Sequence, residues 1–272
     1  MKPTEPAVDP HRVVLISDLH VDADRNHVER DANMADNLAR TVTAIASLHP
    51  RPAYVIINGD LAHWFGNPED YVVAITLLQP IRDAGVPMYY AVGNHDHREN
   101  LWKAFPDAVH SHPPVPGRQI TLVESPRVDW YLLDSLLEIN GVPGSIGEAQ
   151  LAWLAQSLGA RPTKPAIVMS HHQPDFEPVV KGLIDTQALL DVISPRKQVK
   201  ALFYGHTHRW VHAQQADGMH WVNIPTTGYV FYKEQPTGWV DVALSDRGAT
   251  LQLICLNSSD PQHLQKRELI WR

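Results

Sequence analysis

Apolar positions along this chain alternate between two rhythms. Short unbroken runs at residues 13–17, 54–57 and 87–92 read as strands buried on both faces. Between them the spacing changes to a helical stripe. Met34, Leu38, Val42, Ile45 and Leu48 share one face and predict a helix over residues 26–48. Residues 68–82 predict a second helix, with Pro68 at its start and Gly85 just past its end. Residues 119–124 and 128–134 predict a hairpin. Ser145 and Glu148 have capping-box spacing ahead of a helix marked by Leu151, Leu154 and Leu158. Residues 166–170 and 199–204 are two more buried strands. After His208 the pattern turns β-rich, with strands expected at 210–215, 220–224, 227–231, 238–243 and 250–256. This order predicts an α/β protein in layers.

Length and composition narrow the class. A chain of 272 residues fits one large domain or two small ones. With no internal repeat or long linker, a single domain over residues 1–272 is expected. Its core would span about 12–256, with 1–11 and 257–272 as terminal extensions. Hydrophobic residues make up 44% and charged residues 19%, which excludes disorder as a default. The net charge of -7 argues against a duplex-binding protein. It leaves phosphate-bearing substrates open, because metal ions can supply positive charge locally. No apolar run reaches the ~18 residues of a membrane-spanning helix, and residues 1–11 carry no signal pattern. A cytoplasmic protein without membrane association is expected. The one cysteine, Cys255, rules out an internal disulfide and a thiolate zinc site, and reads as a buried apolar residue.

Histidine changes the picture. There are 16, and what matters is where they fall. Five predicted strands each run into polar metal-ligand types: Asp18-Leu19-His20, Gly59-Asp60, Gly93-Asn94-His95-Asp96, His171-His172 and Gly205-His206-Thr207-His208. Ligands bind at the C-terminal ends of strands in α/β sheets. The D-x-H and H-x-H pairs would project to one side if the strand geometry continued. Each block alone is weak, and Gly59-Asp60 by itself is a turn signal. Their co-occurrence in order carries the inference. Oxygen and imidazole donors without sulfur suit Mn, Fe or Zn. Asp18, His20, Asp60, Asn94, His171, His206 and His208 would supply about seven ligands for two ions, with His95 left over.

The series D-x-H, G-D, G-N-H-D, H and G-H-x-H resembles the calcineurin-like metallophosphoesterase superfamily. It spans about 190 residues, from Asp18 to His208. Gly59-Asp60-Leu61, Val86-Pro87-Met88-Tyr89, Arg98, Leu133-Asp134-Ser135 and Gln150-Leu151-Ala152-Trp153-Leu154 further resemble the class III cyclic-nucleotide phosphodiesterase and glycerophosphodiesterase branch. The resemblance implies an α/β/β/α sandwich, two central sheets flanked by helices. It implies two divalent ions per chain, one on Asp18, His20 and His208, the other on Asn94, His171 and His206, with Asp60 bridging. It implies hydrolysis of a small phosphodiester by metal-activated hydroxide, with a phosphomonoesterase as the alternative and a non-catalytic metal-binding scaffold as a distant one.

His95, adjacent to a ligand, is expected to protonate the leaving alkoxide or to hydrogen-bond the transition state. Asp96 is expected to orient it. The choice between His171 and His172 stays open, with His171 preferred because it follows the strand directly. His172 would lie near the site without binding metal. Where relatives carry other residues, this chain has His63, Trp64, Phe65 and His97. His63, His97, Arg98 and His172 are therefore the expected substrate-side residues, and Trp64 could stack a base. Residues 219–232, containing Pro225-Thr226-Thr227-Gly228-Tyr229, could pass near the site. His11, His27, His110 and His112 receive no role. A small phosphate ester is the expected partner, and a homo-oligomer is left open.

Overall fold

The computed structural model describes residues 7–108 and 113–272. His110 and His112 lie outside the described residues. Two six-stranded sheets face each other. The first runs β14 (Lys266–Ile270), β13 (Gly248–Cys255), β12 (Gly238–Leu244), β1 (Val8–Ile16), β4 (Arg51–Asn58) and β5 (Met88–Ala91). The second runs β10 (Val211–Gln214), β11 (His220–Asn223), β9 (Val199–Tyr204), β8 (Ala166–Ser170), β7 (Asp129–Leu133) and β6 (Thr121–Val123). A two-stranded ribbon joins β2 (Val28–Glu29) to β3 (Ala32–Asn33).

The unbroken apolar runs explain the layering. Alternate residues of a strand point to opposite faces. Val13, Leu15, Tyr54 and Ile56 meet Trp130, Leu132, Ile167, Met169, Ala201 and Phe203 between the sheets. Val14, Ile16, Val55 and Ile57 point the other way, onto α1 (Met34–Ala46) and α2 (Pro68–Asp83). Tyr131, Leu133, Val168 and Leu202 face α4 (Glu148–Ala160) and α5 (Thr186–Ile193). The result is the expected α/β/β/α sandwich.

Several boundaries differ from the sequence reading. The first helix begins at Met34, where Asn33 caps it by accepting from Asp36 N at 2.8 Å. Residues 26–33 hold the β2–β3 ribbon instead. Ser145 does not cap α4. Its Oγ donates to Asp185 Oδ2 at 2.9 Å, and Gly147 takes the cap position. The short helices α3 (Arg98–Ala104) and α5 were not anticipated. Residues 227–231 form a loop and not a strand. Residues 257–272 do more than extend the terminus, because β14 pairs antiparallel with β13 and Leu269 is buried in the inter-sheet core. Cys255 is buried there too, and burial pushes its thiol up to about 12, as its apolar reading requires.

Parallel pairing aims the strands. β1, β4 and β5 run parallel in one sheet, and β7, β8, β9 and β11 run parallel in the other. The five histidine- and aspartate-bearing blocks all follow the C-terminal ends of these strands. Gly205 N donates to His171 O between neighbouring loops of the second sheet, and His206 N joins the two sheets at that edge by donating to Asp18 Oδ1 at 3.1 Å.

Candidate metal centre

The ligand blocks do not continue strand geometry. β1 ends at Ile16 and β9 at Tyr204, and both pairs lie beyond those ends. Asp18, His20, Asp60, His206 and His208 all adopt left-handed backbone, with φ of 54°, 49°, 48°, 65° and 53°. Left-handed residues at i and i+2 turn both side chains of each pair inward. Such conformations cost about 1–3 kcal/mol each and persist where the surroundings enforce them. Here the enforcement is a ladder of backbone bonds: Asp18 N to Gly59 O, His20 N to Asp60 O and Val21 N to Leu61 O. Gly93 allows the closest approach. A Cβ at that position would collide with the Asp60 carboxylate and backbone.

Two groups of donors result. Asp18, His20 and His208 each offer one ligand atom within 4.8 Å of the others, and so do Asp60, His171 and His206. Asp60 links them. Its Oδ2 lies 3.7 Å from His20 Nε2 and 3.2 Å from His171 Nε2. His20 Nε2 and His208 Nε2 are 3.1 Å apart, and His208 Nε2 is 3.4 Å from Asp18 Oδ1. Asn94 is buried between Gly93 and His95, and His95 N donates to Asp60 Oδ1 at 2.9 Å.

The donor chemistry fits cations. Carbonyl oxygens only accept, so they fix imidazole tautomers. His171 Nδ1 donates to Asn58 O at 2.8 Å, His208 Nδ1 to Tyr229 O at 2.5 Å and His206 Nε2 to Lys181 O at 3.1 Å. Each ring thereby keeps its other nitrogen as a ligand. His171 Nε2 and Asn94 Oδ1 are buried without a hydrogen-bond partner, as atoms reserved for an ion would be. Burial drives His20 well below its ordinary value and His206 down to about 4, so both are neutral and ready to coordinate. Burial would raise Asp18, but the His208 and His171 imidazoles outweigh it and hold that carboxyl at about 2. Burial would likewise lower His171. Asp60 and Asp18 overcome it and lift the ring to about 10, which makes His171 the counter-charge of the metal-free centre.

The structure brings all seven expected ligands and His95 to one edge, with the His172 ring beside His206 at 4.6 Å as expected, and it gives the other expected site residues different contacts. Asp96 does not orient His95. Its Oδ1 accepts from Leu61 N, Ala62 N and Tyr71 Oη, and its Oδ2 accepts from Gly93 N, so it braces the loops carrying Asp60 and Asn94. His95 is held by a backbone carbonyl, donating from Nδ1 to Trp64 O at 3.0 Å. Arg98 is not directed at substrate. It makes a two-point pair with Asp134 at 2.6 and 2.7 Å. His97 lines a separate cavity of about 270 Å³ with Arg98, Trp102 and Ile139, and none of the seven ligand residues lines it. His63 and His172 are buried, His63 against Asp22 and His172 with Nδ1 2.8 Å from Ser135 Oγ.

One wall of the centre comes from the loop at residues 225–231. Thr227 N donates to Ser17 O and Gly228 N to Asp18 O. The Tyr229 ring lies 4.8 Å from both the His20 and His208 rings, and Phe231 stacks on His208 at 4.2 Å. Tyr229 was not singled out from sequence. The available signal was a polar Pro-Thr-Thr-Gly turn directly after a buried strand, the same pattern that marks the ligand blocks.

Comparison with known proteins identifies the family. Residues 11–210 match the family described as calcineurin-like phosphoesterase. The chain is 30% identical over 208 residues to a protein of Rhodopseudomonas palustris named a probable cyclic nucleotide phosphodiesterase, covering 73% of this chain and 72% of that one. It is 28% identical over 203 residues to a 3′,5′-cyclic adenosine monophosphate phosphodiesterase of Pseudomonas aeruginosa, covering 72% and 69%. Among solved structures, a dimetal phosphatase from Danio rerio superposes with a TM-score of 0.75 at 15% identity, over 97% of this chain and 100% of that one. No helix among the described residues is long and apolar enough to cross a membrane. The chain belongs to the calcineurin-like phosphoesterase family, whose members are metal-dependent phosphoester hydrolases.

Proposed function

We propose that this family member hydrolyses a small phosphodiester, a cyclic nucleotide or glycerophosphodiester being the leading class, with two divalent ions. Asp18, His20 and His208 would hold one ion, Asn94, His171 and His206 the other, and Asp60 both. The observation that carries the reading is the position of Asp60, whose Oδ2 is within 3.7 Å of an imidazole nitrogen from each group. Two ions held by these residues would supply charge to the phosphoryl oxygens and favour ionisation of the attacking water. Manganese, iron and zinc all suit the oxygen and imidazole set.

The protein's own groups set the remaining chemistry. His95 Nδ1 is committed to Trp64 O, so a proton passed to a leaving group has to be carried on Nε2 of the doubly protonated ring. As the water oxygen bonds to phosphorus and the bond to the leaving group breaks, that imidazolium would give its Nε2 proton to the departing alkoxide and be left neutral, and the product is a phosphomonoester. The Trp64 ring is 47% exposed and lies 6.0 Å from the His95 ring, in reach of whatever the leaving oxygen carries. An exposed aromatic face beside the proton donor favours a leaving group with a planar base. The names of the relatives support the same substrate class.

The test is a paired assay on metal-reconstituted protein. Bis(p-nitrophenyl) phosphate and p-nitrophenyl phosphate are compared with manganese and with chelator. Metal-dependent preference for the diester is expected. Preference for the monoester reassigns the protein as a phosphatase, and no turnover of either with both ions bound revives a non-catalytic role.

A further inference from the structure

A second set of donors lies on the far side of His63 from the dinuclear centre. Asp22, His27 and His63 each bring one ligand atom within 4.8 Å of the other two. Asp22 Oδ2 is 3.0 Å from His63 Nδ1, and the His27 and His63 rings are 4.8 Å apart. Glu29 Oε2 is 4.0 Å from His27 Nε2, a second carboxylate within reach. His63 is only 5% exposed. Its Nε2 and that of His27 are shut off from solvent with no hydrogen-bond partner. Two orphaned imidazole nitrogens in one small cluster need a common explanation, because buried polar atoms are nearly always satisfied.

A hydrogen-bonded ion pair does not supply it. Burial lowers His63 below its ordinary value even though Asp22 opposes the shift, so the ring is neutral near pH 7. The His63 ring in that state offers a lone pair to a cation. The segment is also braced in advance. Asp22 Oδ1 accepts from Asp24 N at 2.7 Å, His27 N donates to Asp24 O at 2.9 Å and His63 N donates to Val21 O at 3.0 Å. Asp22 Oδ2 and the ring nitrogens are what remain.

We propose that Asp22, His27 and His63 form a third metal site, separate from the dinuclear centre, that binds one divalent ion of zinc-like character. Two imidazoles and a carboxylate suit a borderline transition metal better than calcium or magnesium, which prefer all-oxygen sites. The site has a structural consequence. His63 immediately precedes Trp64, whose carbonyl holds His95. An ion on His63 pins the peptide that orients the proton donor, so the third site steadies His95 without touching substrate.

The experiment counts ions. Wild type, His27→Ala and Asp22→Asn are equilibrated with micromolar free zinc and analysed for metal per folded chain. Wild type is expected to hold one ion more than either variant, three against two when the dinuclear centre is full. The readout is a difference, so it stands even if the dinuclear assignment fails. Equal counts in wild type and His27→Ala overturn the proposal. A measurement needing no variant is an anomalous difference map at the zinc edge from wild-type crystals. A peak between Asp22, His27 and His63 supports the site, and its absence with the dinuclear centre occupied overturns it.

Discussion

The Nδ1 atom of His95 donates to the backbone carbonyl of Trp64 across 3.0 Å. A carbonyl cannot donate, so this bond keeps a proton on Nδ1 and leaves Nε2 as the working nitrogen, which donates only from the doubly protonated ring. His95→Ala is expected to lower kcat by about 10²–10⁴-fold, with both ions retained, because His20 and Asp60, the donors beside the His95 ring, each keep two further donors. Unchanged kcat removes the proton-donor role. Trp64→Ala keeps the carbonyl, so it should act on KM for base-containing substrates more than on kcat. Steady-state kinetics with metal analysis on both variants separates these effects.

Asp60 Oδ2 lies between the two groups, 3.7 Å from His20 Nε2 and 3.2 Å from His171 Nε2. Asp60→Asn keeps the shape and removes the charge, so both ions should weaken together. Metal content is expected to fall by more than one ion per chain relative to wild type after dialysis, with kcat falling by at least about 10²-fold, as loss of a bridging charge implies. Retention of two ions defeats the bridging assignment. The fold should survive, because Leu61 N and Ala62 N are held by Asp96 and not by Asp60.

Much of this centre could be read from residue order, because each chemical block sits directly behind a run of buried residues such as Val13–Ile16. The same runs foretold buried strands in a layered α/β protein, and the resemblance supplied the two central sheets. What residue order hid is geometry that spacing does not encode. The inward turn of Asp18 and His20 comes from left-handed backbone enforced by the β4 loop, a tertiary effect. Asp96 looked like a partner for its neighbour His95, yet its carboxylate is taken by amides from two loops. Arg98 looked like a phosphate ligand, but Asp134, 36 residues on, claims it. Asp22 and His27 carried no recognisable motif, since they meet His63 only when the β2–β3 ribbon folds over the β4 loop.

Gly93 tests the packing directly. A Cβ there would overlap Asp60 Oδ1 and the Asp60 backbone nitrogen, neither of which can move without shifting the ligand. Gly93→Ala should therefore reduce metal content and activity together while the far-ultraviolet spectrum stays native. Gly159 is the control, because nothing lies near its added Cβ and helix α4 favours alanine. If Gly93→Ala binds two ions with normal affinity, the tight approach of the two loops is not what fixes Asp60.

Removing the ions should expose the charge balance of the centre. In metal-free protein His171 titrates at about 10, above its ordinary 6.5. A raised imidazole contributes stability in full below about 6.5 and loses it as pH climbs towards 10. Asp18, at about 2 against an ordinary 3.8, contributes above 3.8 and loses it only as pH falls towards 2. The metal-free Tm should thus fall steadily between pH 7 and 10, and adding manganese should flatten that slope, because coordination needs the neutral ring and replaces its positive charge. The same argument predicts that metal uptake at pH 7 releases about one proton per chain from His171. Calorimetric titration in two buffers of different ionisation enthalpy measures that number. A value near zero would mean that His171 is already neutral in the metal-free protein and that Asp60 finds its counter-charge elsewhere.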